Sequence, residues 1–471
     1  MVEYGIFKKN NIQLYKSIFT ITLPIMVQLL LDSAVNMADV VMVNAVENGQ
    51  QYMAGVNVSA KASNIIFMFL FGVGSGMTMM GAQYWGKKDV TSIEKVQGIA
   101  LRINLYISVV TTVACLAIPE TLMRIFTDDA EYILYGAQYL RIFAGCIFVW
   151  GVSAVYLAAL RSTGRVGICT AVETMALLIN VVLNAVFLFI FGMGVRGVAL
   201  ATVISRVIEL AVCIMLSKRS NTVKLRISDA FEWHPVLEKD FIRMCLPAIG
   251  NDLIWGIGYA AYTAIIGHIP EKGSDAIAAL AIVETVRNLA CTMCYGLGSA
   301  TSIILGKILG ENRKDDAICT SRVLLRLSAA AGAIGGGLIA LTIPIYCPLA
   351  NLNEAARDYL YFMMWVNVVY IMGTAINNTL IGGVFRAGGD TMFGFLCDTI
   401  DMWVWSVPVG LIAAYIFKLD PKWVYVILCT DEFVKWPWVL KHFYSEKWAK
   451  NITRENIDTL TEKNSTMNSV N

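Results

Sequence analysis

The sequence predicts an all-α polytopic membrane protein: twelve transmembrane helices, arranged as two six-helix repeats around a central cleft. Three observations carry this expectation. The first is composition: of 471 residues, 57% are hydrophobic and only 15% charged, with a mean hydropathy of +0.62. An ordinary soluble core does not hide that much apolar surface, so the chain belongs in a bilayer. The second is a set of twelve segments long enough to cross ~30 Å of hydrocarbon, which takes about 20 helical residues. They run over 17–44, 53–83, 94–118, 131–159, 167–191, 195–217, 241–268, 276–306, 318–345, 356–384, 391–416 and 422–443. The third is that the two halves are copies.

The copies keep a nearly constant offset, drifting from 223 to 225 residues. Leu23 and Pro24 return as Leu246 and Pro247, GVGS at 72–75 as GLGS at 296–299, Gly86 as Gly310, and Leu101 and Arg102 as Leu325 and Arg326. Pro119 returns as Pro344, and Arg161 with Gly164 as Arg386 with Gly389. Six spans per half put both copies in the membrane with the same orientation, as parallel repeats about an axis along the membrane normal. The expected organisation is an amino-terminal lobe over 1–216, a cytoplasmic linker over 217–240, a carboxy-terminal lobe over 241–445 and a polar cytoplasmic tail over 446–471. Basic residues cluster in alternate loops: GKK at 86–88, RSTGR at 161–165, SKRSNTVKLR at 217–226, ENRK at 311–314 and the segment from Lys441. By the positive-inside rule both termini and the long 217–243 connection are cytoplasmic.

Composition also excludes partners and chemistries. The net charge of +2 is spread through short loops and forms no stripe for nucleic acid. Most of the eleven cysteines sit in apolar runs, where a thiol packs as a small hydrophobe, and no disulfides are expected. Cys291 and Cys294 form a CxxC with no second pair, so packing is the reading favoured over metal or redox chemistry. His234, His268 and His442 lack ligand spacing, so no metal and no cofactor are assigned. No nucleophile elbow, phosphate loop or His/Asp cluster marks an enzyme.

Within the first span Gln28, Asp32, Asn36 and Asp39 fall on one stripe at ~100° per residue, and the rest of that surface is apolar. An acid at membrane depth costs several kcal/mol, so by default it faces a cavity and carries ions, protons or substrate. Doubled transporters bind at the interface of their repeats, and alternating access is their natural mechanism.

These features resemble the multidrug and toxic compound extrusion (MATE) family. The matching residues are Leu23 and Pro24 with an acid in MADVVMV at 37–43, the G-x-G-S element of each half, and the turns LRSTGR at 160–165 and FRAGGDT at 385–391. The resemblance spans 18–438 and implies a monomeric secondary antiporter. Such a protein exports cationic or aromatic small molecules in exchange for protons or sodium ions. It implies Asp39 as the ion or proton carrier, with Asn180 and Asn184 of the fifth helix as its companions. Some members have Asp where Asn184 stands, and this chain lacks that charge. Glu173, Asn180 and Asn184 share one face of their helix, so two polar stripes are expected to meet. A flippase for lipid-linked sugars on the same doubled fold is the alternative; it is expected to show a cationic cleft, whereas these stripes are acidic or neutral.

Asp32 reads either as a carboxylate facing water or a polar helix, or as a second ligand beside Asp39. The second half does not repeat the acids: their positions hold Trp255 and Tyr262. It offers Asn251, Asp252, Asp398 and Asp401 as cation or substrate contacts, with Trp255, Tyr259 and Tyr262 as stacking surfaces for organic cations. Asp398 is the repeat mate of Glu173, each twelve residues after its Arg, so both acids are equally open to an architectural role. Lys61, Arg206 and Glu209 read as charges near span ends, and Glu284 with Arg287 as a self-neutralising pair.

Overall fold

The computed structural model describes residues 9–46, 49–220 and 222–454. Among these the regular structure is helical throughout, as a bilayer requires, since only a helix satisfies every backbone group within its own segment. The helices are α1 (Lys9–Asn44), α2 (Gly49–Gly86), α3 (Val90–Ala117), α4 (Ala130–Ser162), α5 (Val166–Ala185), α6 (Gly194–Arg219), α7 (Pro235–Gly267), α8 (Gly273–Gly310), α9 (Lys314–Leu349), α10 (Glu354–Asn377) and α11 (Thr391–Ile400). Three short pieces, Pro421–Leu428, Asp431–Val434 and Trp436–Tyr444, make up α12. Every expected span meets one of these helices. The register widens to π geometry after α5 (Val186–Ile190), after α10 (Asn378–Phe385) and twice beyond α11 (Asp401–Ser406, Ile412–Ile416).

Ten of the helices are long and apolar enough to cross a membrane. The remaining two are α7, whose first turns carry Glu238, Lys239, Asp240 and Arg243, and the broken α12. Large apolar side chains face outward in stripes, Val109, Val113 and Leu116 on α3 and Ile334, Leu338 and Leu341 on α9. Their spacing marks one face of each helix, and the two faces coincide under the 225-residue repeat offset. Exposed apolar stripes of this kind suit lipid.

Two compact units divide the described chain, with boundaries inside helices: of the described residues, unit one holds 9–26 and 250–452, and unit two those between 27 and 249 with 453–454. In unit two, α4 packs against α2, α3 and α6. In unit one, α10 packs against α8 and α9, and the wide turn after it packs on α8. The G-x-G-S glycines explain part of this packing. A Cβ on Gly72 of α2 would lie 2.3 Å from Ile249 of α7, and one on Gly296 of α8 would lie 2.7 Å from Met26 of α1. The beginnings of α1 and α7 therefore each pack into a notch made by the other repeat's second helix, within unit one and unit two respectively.

The R-x-x-G turns are helix stops. Gly164 and Gly389 adopt φ of +80° and +72°, and the amides of Arg165 and Asp390 donate back to Leu160 and Phe385 carbonyls at 3.1 and 2.9 Å. That is a Schellman closure, which needs a left-handed residue, and glycine adopts it without the Cβ penalty. The connection after α6 lies along α3 in unit two. Gln97 donates to the Lys224 carbonyl, and Arg102 donates to Glu238 while covering the Trp233 ring. Of the expected tail, Trp448 is fully buried in unit one against Phe443, and residues 455–471 lie outside the described chain.

Candidate functional site

Unit two holds the first group. Asp39 lies in the last two turns of α1, and Asn180 and Asn184 lie one turn apart on α5, so one face of α5 meets the α1 acid. Asn184 Nδ2 donates to Asp39 Oδ1 at 2.7 Å and to Asn180 Oδ1 at 3.2 Å, and Asn180 Nδ2 reaches Thr202 Oγ1 of α6 at 3.4 Å. Asn180 and Asn184 are buried and Asp39 is half-buried. Asn184 Oδ1 is buried without a partner among the described residues. The amide therefore has two settings. As placed it donates to the carboxyl group, and turned over its oxygen could accept from that group when protonated.

The rest of the first stripe stands apart from this chain of bonds. Gln28 is half-buried, Asp32 and Asn36 are exposed, and none of the three makes a side-chain hydrogen bond among the described residues. Glu173, on the same α5 face, is bonded to Arg161 at the end of α4. Arg206 and Glu209 correct the expectation of charges near a span end. Glu209 is 1% exposed in the middle of α6, accepts from Ser153 and Arg206 at 2.6 Å each, and Arg206 lies over the Trp150 ring.

Unit one holds the second group, and it gathers most of the residues expected there. Asp398 Oδ2 accepts from Asn251 Nδ2 at 2.6 Å and from Trp255 Nε1 at 3.0 Å, while Asp398 Oδ1 accepts from Lys435 Nζ at 2.9 Å. Lys435 also lies 3.1 Å from Glu432 and 3.7 Å from Asp401. Tyr262 donates to Asp431 at 3.1 Å and Tyr370 to the same oxygen at 3.4 Å, and Asn377 donates to Glu432 at 2.6 Å. Tyr259 stands next to Tyr370, and the Arg287 guanidinium lies 4.7 Å from the Tyr259 ring.

The expected stacking residues are thus bonded into a charge network. Asp252 is placed elsewhere, paired at 2.8 Å with Arg386. Arg287 is held by tyrosine faces more than by Glu284, which is 4.0 Å away. Asp431, Glu432 and Lys435 carried no sequence expectation. Their signal was present in DEFVK at 431–435, where two acids stand three and four residues before a lysine inside an apolar stretch. No group of three or more metal-ligating side chains gathers among the described residues, and the cysteines described are free.

The MatE family model matches residues 24–186 and 247–412, one stretch in each half, with starts 223 residues apart. The chain belongs to the MatE family. Among MatE relatives, it is 23% identical to the uncharacterized transporter YisQ of Bacillus subtilis over 445 residues, covering 92% of this chain and 95% of that one. It is 22% identical to the probable multidrug resistance protein NorM of Thermotoga maritima, over 98% of this chain and all of that one. Among solved structures, an outward-facing multidrug resistance MATE transporter of the MOP superfamily aligns with TM-score 0.83 at 19% identity, covering 92% of this chain and 96% of that one. A MOP superfamily transporter from Pyrococcus furiosus aligns with TM-score 0.82 over the same shares. The fold is the all-α, twelve-helix, two-lobe fold of MATE transporters, and the protein is a multi-pass membrane transporter.

Proposed function

We propose that this protein is a secondary antiporter that exports cationic or aromatic small molecules from the cytoplasm in exchange for protons or sodium ions. It works as a monomer in a bacterial-type plasma membrane, with both termini cytoplasmic. Asp39 is the carrier, and the observation that supports it is the bond from Asn184 to Asp39. Asp39 has no cationic partner within ion-pair distance among the described residues, so a solute or a proton is left to meet its charge. The proton is the first reading of the coupling ion. Asp39's bonded neighbour is an N–H donor, and Asn184 turned over would accept from the protonated acid. A sodium ion would instead need several oxygens turned inward. Ionised Asp39 favours the state that binds drug, and protonation from outside favours release, which gives the coupling of two ligands through two conformations.

The test is transport in everted vesicles. Ethidium or a fluoroquinolone is exchanged against an imposed proton gradient and, separately, a sodium gradient, with lipid-linked sugars as control substrates. The reading expects gradient-driven uptake of the cations. Failure of every cationic solute, with movement of the lipid-linked sugar intact, would overturn it in favour of a flippase.

A further inference from the structure

The carboxyl group cluster of unit one has the construction of a cation site and contains its own cation. The Lys435 ammonium is surrounded by Asp398 at 2.9 Å, Glu432 at 3.1 Å and Asp401 at 3.7 Å, with the Trp255 ring centroid at 4.5 Å. The whole Lys435 side chain is 0% exposed. Carboxylate oxygens with one aromatic face form the surroundings that a primary ammonium takes when water is removed.

Two of the three acids of the cage are held in place by partners other than the lysine. Asn251 and Trp255 fix Asp398 from α7, and Asn377 fixes Glu432 from the end of α10 through both its carboxylate and its backbone carbonyl. Asp401 opens the first π turn beyond α11. The cage is also more acidic than one ammonium requires. Asp401 Oδ1 is buried and has no hydrogen-bond partner among the described residues, although the side chain lies against the lysine. A buried ion pair of this kind adds little stability over apolar packing of the same volume, so stability alone does not account for so many charges here.

We propose that Lys435 is a tethered cation. Its ammonium fills a site that Asp398, Asp401, Glu432 and Trp255 would otherwise offer to a small monovalent cation or primary ammonium ion. Unit one therefore carries a cation through the transport cycle without exchanging it. Taking the lysine away should open a site that a free cation can enter.

The test uses the full-length protein purified in detergent and reads its melting temperature. The wild type should melt identically in choline, sodium and methylammonium chloride, because its site is filled. Lys435→Ala removes the ammonium and most of the chain, leaving room for methylammonium. It should melt lower than the wild type in choline and rise by about 2–4 °C in about 100 mM methylammonium, the response to a ligand at roughly ten times its dissociation constant. Adding Asp398→Asn should remove that rise. Lys435→Met, which fills the volume without a charge, should be destabilised and indifferent to methylammonium.

Several outcomes overturn the proposal. One is a folded Lys435→Ala that ignores both sodium and methylammonium, and another is an equal response of the Met and Ala variants. A third is a wild type stabilised by sodium in a way that Asp398→Asn abolishes. If Lys435→Ala is recovered only when extracted in methylammonium, that result supports the site. Recovery in neither salt, with Lys435→Met recovered, overturns it, because volume and not charge would then be what the site requires. The assay reads cation binding without transport, so its failure is distinct from failure of the efflux reading.

Discussion

The two repeats place the same backbone features at matching positions and wire their charges differently. In unit two Arg161 bonds Glu173, twelve residues further on. In unit one the repeat mate of that arginine, Arg386, bonds Asp252 of α7 instead, and the mate of Glu173, Asp398, bonds Lys435. The glycine turns, the α2 and α8 notches and the outward stripes on α3 and α9 survive the duplication, because each is set by local backbone geometry or by contact with lipid. Charge partners do not survive it, because a buried acid needs only some satisfied partner, and a partner gained on another helix releases the first. The result is one half-buried acid that faces amides, Asp39, and one fully buried set of acids that faces an ammonium.

Neutralising Asp39 is the sharpest way to break that contrast. Asp39→Asn keeps the shape and a hydrogen bond to Asn184 but removes the titrating group. Gradient-coupled efflux should fall by about 100-fold or more, as expected when the carrier acid is lost, while the melting temperature stays within about 2 °C of the wild type. Export at the normal rate would mean that another group carries the ion.

Next in size is a pair of variants on the repeat mates. Glu173→Gln leaves the part-buried Arg161 guanidinium without a carboxylate and should cost about 1–2 kcal/mol, between the loss for an exposed pair and that for a fully buried one. Asp398→Asn, fully buried, turns an N–H donor toward either Lys435 or the Asn251 and Trp255 donors, and should cost about 2–4 kcal/mol, the scale of an unpaired buried donor beside a charge. Thermal unfolding in detergent measures both. Equal losses would show that the rewiring has no energetic consequence.

Asn184→Leu removes the amide that bridges Asp39 and Asn180 without touching the acid. Efflux should drop by about tenfold, matching the loss of one hydrogen bond to a charged group, and the pH at which uptake is half-maximal should move. An unchanged pH profile would reduce Asn184 to packing.

The parts that were legible in the sequence share one property: they are periodic or local. Ten of the twelve spans follow from hydropathy, the repeat from matched motifs, and the α5 face from spacings of seven and four. Asn251, Trp255, Tyr262, Asp398 and Asp401 were each singled out and do come together. What assembles them was missed. Lys435, Asp431 and Glu432 occupy the final span, and nothing in a single sequence says which neighbour that span faces once α12 breaks after Leu428 and again after Val434. The same limit misplaced Asp252. Next to Asn251 in sequence, it points about 100° away around the helix and meets Arg386. Glu209 was read as lying near a span end, yet it stands in the middle of α6, where Ser153 on α4 and Arg206 one turn earlier satisfy it.

The smallest expected effect contrasts the caged Lys435 with an exposed ion pair of the same unit. Asp420 caps the first piece of α12 by accepting from the Lys422 amide at 3.1 Å, and Lys272 Nζ lies 2.9 Å away. Burial alone would raise its pKa, but the hydrogen bonds from Lys272 and the Lys422 backbone, with the charges of both lysines, outweigh this and hold the carboxyl below its ordinary value. A folded-state pKa below the unfolded value of about 3.9 stabilises the fold above that pH, and the contribution disappears as pH falls through the folded value. Asp420→Asn keeps a capping oxygen and loses the charge. It should lower the melting temperature by about 1–2 °C at pH 7, and the difference from the wild type should close as the buffer is taken below about pH 4. A difference that persisted in acid would mean that the cap and not the charge was lost. One as large as that of Asp398→Asn would remove the distinction between exposed and caged charge.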